Sequence, residues 1–228
     1  MPPRRRSKTT ETRAPARKPA LAAREPLSRE RIVQAALALV HADGLAQLST
    51  RRLGQRLGCE AMSIYHHFPS KAHLLDALVD HAIASIEAPP EHLSPIERLR
   101  VTCYAYRAMA HRFPALYPLV AIHRLNTPTG VRYIDSVMAT ILAVEPDTEK
   151  AARQFRAVGY YLAGASLDET SGYAKGPSAA EPVSDAYVAE HCKSLIAAAP
   201  YFQREHWDAT FEFGLQAMLA SFARDVGG

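Results

Sequence analysis

Residues 48–68 hold two helix starts and a helix stop, a spacing that leaves room for little except two short helices meeting at a tight turn. Leu48 precedes Ser49, a good N-cap, and Leu53 stands where a hydrophobic staple needs it. The first short helix is expected over Thr50 to Leu57, with Gly58 as its stop. The second begins near Glu60 and runs to Phe68-Pro69. The same grammar brackets this pair. Ser28 caps a helix carrying Ile32, Ala35, Ala36, Leu39 and Val40 until Gly44, and Ser70 caps a fourth helix carrying Leu74, Leu75, Leu78, Val79, Ile83 and Ile86. Leu53, Leu57, Ile64 and Phe68 fall where they would pack as core.

The rest of the chain also follows a helical period. Pro89-Pro90 breaks it, and Ser94-Pro95-Ile96-Glu97 is a capping box with proline at the first helical position, opening a helix to about Phe113. Further helices are expected at roughly 115–124, 128–144, 147–171, 184–198 and 207–223, with Gly176-Pro177-Ser178 as the most loop-like stretch. No strand pattern interrupts them. The expected fold class is all-α, in 228 residues. Residues 1–24 are expected to be a disordered basic arm, 25–72 a three-helix helix-turn-helix domain, and 73–228 a helical ligand-binding and dimerisation domain.

Charge divides the chain along the same lines. Residues 1–24 hold eight Lys/Arg against one acid, residues 25–75 six against four, and residues 76–228 thirteen against eighteen. A basic N-terminal third on an acidic body fits a polyanion partner at that end. A solubilising tail would give the same count. The arm is too poor in large apolar residues to offset the entropy of ordering. It serves either as an added source of phosphate contacts or as a mere leader.

Other classes find little support. Cys59, Cys103 and Cys192 are scattered and form no CxxC or Cys/His set, as expected of a reduced, cytoplasmic protein without structural zinc. No apolar run reaches the roughly 18 residues a membrane span needs. No secretory apolar stretch follows Arg4-Arg5-Arg6. GxSxG, P-loop and dinucleotide fingerprints are absent. His73, Asp76 and Asp80 share one face of the fourth helix, and a solvated polar face is the expectation there rather than a metal site.

The paired short helices suit DNA, because a major groove admits one helix and presents a distinct donor, acceptor and methyl pattern for every base pair. Ser63 offers a hydroxyl, Ala61 and Met62 can touch a thymine methyl, and Tyr65 and His66 can reach phosphates or bases. Arg51 and Arg52 are the candidates for guanine or phosphate contacts. One helix spans only a few base pairs, so a palindromic duplex operator bound by a homodimer is expected.

The run Ser49-Thr50-Arg51-Arg52-Leu53-Gly54-Gln55-Arg56-Leu57-Gly58, then Ser63-Ile64-Tyr65-His66-His67-Phe68, then Lys71 and Leu74-Leu75-Asp76-Ala77-Leu78, resembles the N-terminal domain of TetR-family repressors. That resemblance implies phosphate contacts for Thr50 and Lys71, base-edge positions for Arg51, Ala61, Met62 and Ser63, and backbone-side positions for Tyr65 and His66. Gly54 stands where the family usually has alanine. Residues 157–169 and Phe211-Glu212-Phe213-Gly214-Leu215 resemble the tetracycline-repressor-like C-terminal domain. In that group the corresponding helices form a four-helix bundle between two subunits. Gly159, Ala163 and Gly164 would allow close approach there, and Phe211, Leu215, Met218 and Phe222 would supply an apolar stripe. A stripe buried within one subunit is the alternative.

The resemblance further implies a repressor released from DNA by a small molecule. Tyr104, Tyr106, Tyr117, His123, Tyr133, Phe155 and Tyr160 are the candidate effector-pocket residues. His123 and Glu169 fall near positions that hold magnesium in tetracycline repressors. The asparagine that grips the antibiotic aligns with Val101-Thr102, however, and Asn126 is the only asparagine present. The expected effector is therefore an unspecified hydrophobic or aromatic molecule, with no metal and no cofactor. An architectural DNA binder without sequence preference, and an all-α enzyme, are the rival readings.

Overall fold

The computed structural model describes residues 26–172 and 179–223. The basic arm and the loop expected at Gly176-Pro177-Ser178 lie outside the described residues. The described residues form eleven α-helices and no strand. In chain order these are α1 (Arg29–Asp43), α2 (Thr50–Leu57), α3 (Ala61–His67), α4 (Lys71–Ala84), α5 (Pro95–Arg112), α6 (Tyr117–Ile122), α7 (Pro128–Leu142), α8 (Thr148–Ser171), α9 (Asp185–His191), α10 (Lys193–Ala198) and α11 (Trp207–Ala223).

Local chemistry sets most boundaries. The Oγ atoms of Ser28 and Ser49 accept from the amides of Arg31 and Arg52 at 3.1 and 3.3 Å. Ser94 and Glu97 close the capping box in both directions. Thr127 and Asp147 cap α7 and α8 in the same way. Each such cap satisfies an amide that the first turn leaves without a partner, worth about 1 kcal/mol. Gly58 ends α2 in the left-handed region at φ 67°, which glycine adopts without steric cost. The helix expected over 184–198 is broken at Cys192, whose backbone (φ −121°, ψ 41°) leaves the helical basin and separates α9 from α10.

Two apolar clusters hold the molecule together. One joins α1–α4 to Met109 and Ala110 of α5 and to Leu116, Tyr117 and Val120 around α6. The second joins Leu99 and Cys103 of α5, Ile141 of α7 and Val158 and Leu162 of α8 to Phe211, Leu215, Leu219 and Phe222 of α11. The core of the N-terminal head thus continues past residue 72 through Leu74, Leu78, Val79, Ala82 and Ile83 and into the body. Motion of α4 cannot leave either side undisturbed, because close-packed interiors do not deform smoothly.

The α11 stripe requires a correction. Phe211, Leu215 and Phe222, expected at a subunit interface, are buried within their own subunit. Burying each of these side chains contributes roughly 2–3 kcal/mol, so the stripe is core, while Met218 is only half-buried beside it. The opposite face of α11 carries Phe213, 78% exposed. Gly214 lets α11 press onto α8: a Cβ there would stand 2.5 Å from the Tyr161 ring, whose hydroxyl donates to the Phe211 carbonyl at 2.6 Å.

Candidate nucleic-acid interface and ligand cavity

The helix-turn-helix is held by close backbone approach. A Cβ on Gly54 would lie 2.7 Å from the Cys59 carbonyl oxygen, so the glycine lets the turn fold back against α2. The Cys59 amide donates to the Gly54 carbonyl at 3.0 Å. Leu53 and Ile64 are fully buried beneath this turn. They fix which face of α3 points outward.

That outward face carries Met62, 63% exposed, with Tyr65 and His66 also exposed. Ala61 and Ser63 are half-buried at its flank. Arg51 is exposed near the start of α2, and Lys71 is exposed at the start of α4. Thr50 Oγ1 lies 3.5 Å from the Tyr65 hydroxyl, which draws the first turn of α2 to the middle of α3. The structure thus sets the first turn of α2 beside the exposed face of α3, with Arg51 and Lys71 exposed at the starts of α2 and α4, where the positive end of a helix dipole favours phosphate.

Arg52 departs from the expectation. Its guanidinium turns back to Asp43 Oδ2 at 2.7 Å and Gln47 Oε1 at 3.3 Å. It ties α2 to the end of α1 through a pair in which each side chain is 41% exposed. Arg29 was not singled out in the sequence, yet it donates to the His67 carbonyl at the end of α3. Its guanidinium also stacks 4.2 Å from the Phe68 ring centroid. No local pattern marks that role, because the partners, His67 and Phe68, lie 38 and 39 residues away.

The body contains a cavity of about 390 Å³ between α5, α6, α7 and α8. Five of the expected pocket residues line it: Tyr106, His123, Tyr133, Phe155 and Tyr160. Two do not. Tyr117 is fully buried behind the wall and donates to the Tyr106 hydroxyl at 3.2 Å. Tyr104 faces the other side of α5 and donates to Glu212. Burial pushes the phenols of Tyr106 and Tyr133 up from their ordinary value, so both remain protonated donors.

Two acids of α4 expected on a solvated face are instead engaged. Asp76 Oδ1 lies 2.7 Å from His123 Nε2 at the cavity wall, and Asp80 accepts from Thr127 at the cap of α7. Glu169 is held by Arg107, at 2.7 and 3.0 Å, and by His111 Nε2 at 2.6 Å. The structure thus does not bring Glu169 and His123 together, and the described residues contain no group of three potential metal ligands. On the outer side of α8 and α11 an open groove of about 760 Å³ is bordered by Gly164, Trp207, Phe213 and Gly214. No described helix is long and apolar enough to cross a membrane.

Comparison with known proteins agrees with this geometry. Residues 32–78 match the family described as bacterial regulatory proteins, tetR family. Residues 89–224 match the tetracyclin repressor-like C-terminal domain. An HTH-type transcriptional regulator of Saccharopolyspora erythraea is 27% identical over 88% of this chain and 86% of its own length. The class G tetracycline repressor protein of Vibrio anguillarum is 26% identical over 87% and 94%. ActR of Streptomyces coelicolor, solved in complex with actinorhodin, is similar with a TM-score of 0.70 at 26% identity, covering 90% of this chain and all of its own. The C-terminal match alone takes in more than half of the sequence, and the chain belongs to the TetR family of bacterial transcriptional regulators.

Proposed function

We propose that the protein is a repressor that binds a palindromic duplex operator as a homodimer and leaves it when a small aromatic or hydrophobic effector enters the α5–α8 cavity. The observation that carries this reading is the bond between His123 at the cavity wall and Asp76 of α4, since α4 shares one core with α1 and α3. Thr50, Arg51, Ala61, Met62, Ser63, Tyr65, His66 and Lys71 meet the DNA, within a reading head of residues 25–72. It acts in the cytoplasm, alongside the chromosome.

The subunits join through the outer faces of α8 and α11. Cβ atoms built on Gly159 and Gly164 would meet nothing within 4 Å in the single chain; Phe213 stands out beside Gly164 at the outer groove, while Gly159 also borders the α5–α8 cavity. Ala163, one turn after Gly159, borders that cavity too. Small residues with open space beside an exposed aromatic suit a second helix pair at close range. Repressors among the relatives and a small molecule bound to ActR support the reading.

Magnitudes limit the coupling. A hundredfold loss of operator affinity requires about 2.7 kcal/mol of coupling. A half-exposed pair such as His123–Asp76 contributes about 1 kcal/mol at most. The remainder must come from repacking of the core that α4 and α6 share. The test is selection of operators from random duplexes, followed by Arg51→Ala with Tyr65→Ala. Loss of gel-shift binding at unchanged melting temperature is expected; full binding by the double variant contradicts the assignment.

A further inference from the structure

The α5–α8 cavity has a chemical asymmetry that narrows what can occupy it. Tyr106, Tyr133 and Phe155 supply ring walls, and Tyr160, itself 66% exposed, adds a fourth ring on the solvent side. One permanent cation, Arg156, borders the cavity, and none of its lining residues is an aspartate or glutamate. At about 390 Å³ the space is near the lower end for drug-sized molecules, which suits a small fused-ring frame.

No carboxylate among the described residues neutralises Arg156. Its guanidinium lies 4.9 Å from the Tyr160 ring centroid and donates to the Tyr160 hydroxyl at 3.0 Å. Arg153, one turn before it, is by contrast paired with Glu149. Asp76, which is not among the lining residues, lies 2.7 Å from His123 Nε2, so that carboxylate already has a partner. Two phenols can donate to an occupant. The Tyr106 hydroxyl accepts from Tyr117 at 3.2 Å, which leaves its own proton free for an occupant, and Tyr133 presents a second phenol.

A cavity with rings, phenol donors and an unpaired guanidinium, and without a carboxylate, attracts an anionic oxygen and repels a cation. We propose that the effector is a planar aromatic acid, its rings set among Tyr133, Phe155 and Tyr160 and its carboxylate or phenolate oxygen drawn to Arg156. The proposal rests on the reading of this cavity as the effector site and adds the charge of the ligand. Organic cations are disfavoured by the same arrangement, because an ammonium or amidinium would stand beside the Arg156 charge with no carboxylate among the lining residues to offset it.

Three probes of one shape separate these possibilities: anthracene-2-carboxylate, anthracene-2-carboxamide and anthracene-2-carboxamidine. Each is titrated calorimetrically into the full-length protein at pH 7. The carboxylate is expected to bind at least tenfold tighter than the amidine, with the amide between them. Arg156→Ala, at an exposed position that carries no core packing, brings the three to within about threefold, and Arg156→Glu reverses their order. Equal affinity for the three probes, tighter binding of the amidine, or a preference that survives Arg156→Ala overturns the charge assignment while leaving the cavity reading in place. Binding of none of the three overturns the cavity reading and the proposal with it.

Discussion

The Nε2 atom of His123 lies 2.7 Å from Oδ1 of Asp76, joining the end of α6 at the cavity wall to the helix that completes the core of the head. It is a direct polar link between the two regions that the proposed function requires to communicate. Asp76→Asn keeps the size of the side chain and removes its charge. Operator affinity without effector is expected to stay within about threefold. The ratio of affinities with and without effector should shrink about fivefold, matching a loss near 1 kcal/mol. Gel shifts with and without a releasing compound measure both. An unchanged ratio places the coupling elsewhere.

Arg29 positions α3 and contacts no outward-facing group of that helix. Removing its bond to the His67 carbonyl and its stack on Phe68 costs about 1–2 kcal/mol of stability. Arg29→Ala should therefore lower the melting temperature and weaken operator binding while leaving its salt dependence unchanged. Lys71→Ala should do the reverse: stability holds, and the slope of log K against log salt falls by about 1. Parallel thermal melts and salt titrations distinguish a positioning arginine from a phosphate-binding lysine.

Arg51 and Arg52 adjoin in sequence and diverge in role. Arg52 pairs with Asp43, each side chain 41% exposed, so Arg52→Ala costs no more than about 1 kcal/mol of stability. Its operator affinity should remain within about threefold. Arg51→Ala should cost about 1–3 kcal/mol of binding, a loss of roughly 5- to 150-fold, at unchanged stability. Equal binding losses for the two variants would return Arg52 to the DNA surface.

Phe211 and Phe213, two positions apart on α11, separate folding from assembly. Phe211→Ala opens a cavity in the subunit core and should cost about 3–5 kcal/mol. Phe213→Lys alters an exposed side chain. It should preserve the helical circular dichroism while shifting sedimentation from dimer towards monomer. A stable Phe213→Lys dimer would move the interface away from α11.

The parts legible in the sequence are those that depend on neighbours along the chain. Serine caps at Ser28, Ser49, Ser70 and Ser94, and the stop at Gly58, act within one turn, so α2 and α5 begin where the caps place them. Periodicity likewise marks Phe211, Leu215 and Phe222 as an apolar stripe. It carries no record of whether the stripe faces its own subunit or another. The overlooked signal was Phe213, a large aromatic off the stripe. The rings near the cavity were recognisable as a set, yet whether Tyr104 or Tyr106 points inward depends on how α5 packs against α8 and α11. Asp76 and Asp80 looked like a solvated face because their partners, His123 and Thr127, lie 47 residues on.

The central claim is that α3 enters a major groove in two symmetric copies. A hydroxyl-radical footprint on a selected palindrome, made with the full-length protein, tests it most directly. Two protected patches related by the dyad and about one helical turn or more apart are predicted, both erased by Arg51→Ala with Tyr65→Ala. Uniform protection without a discrete boundary, or a single patch on one half-site at saturating protein, would contradict it.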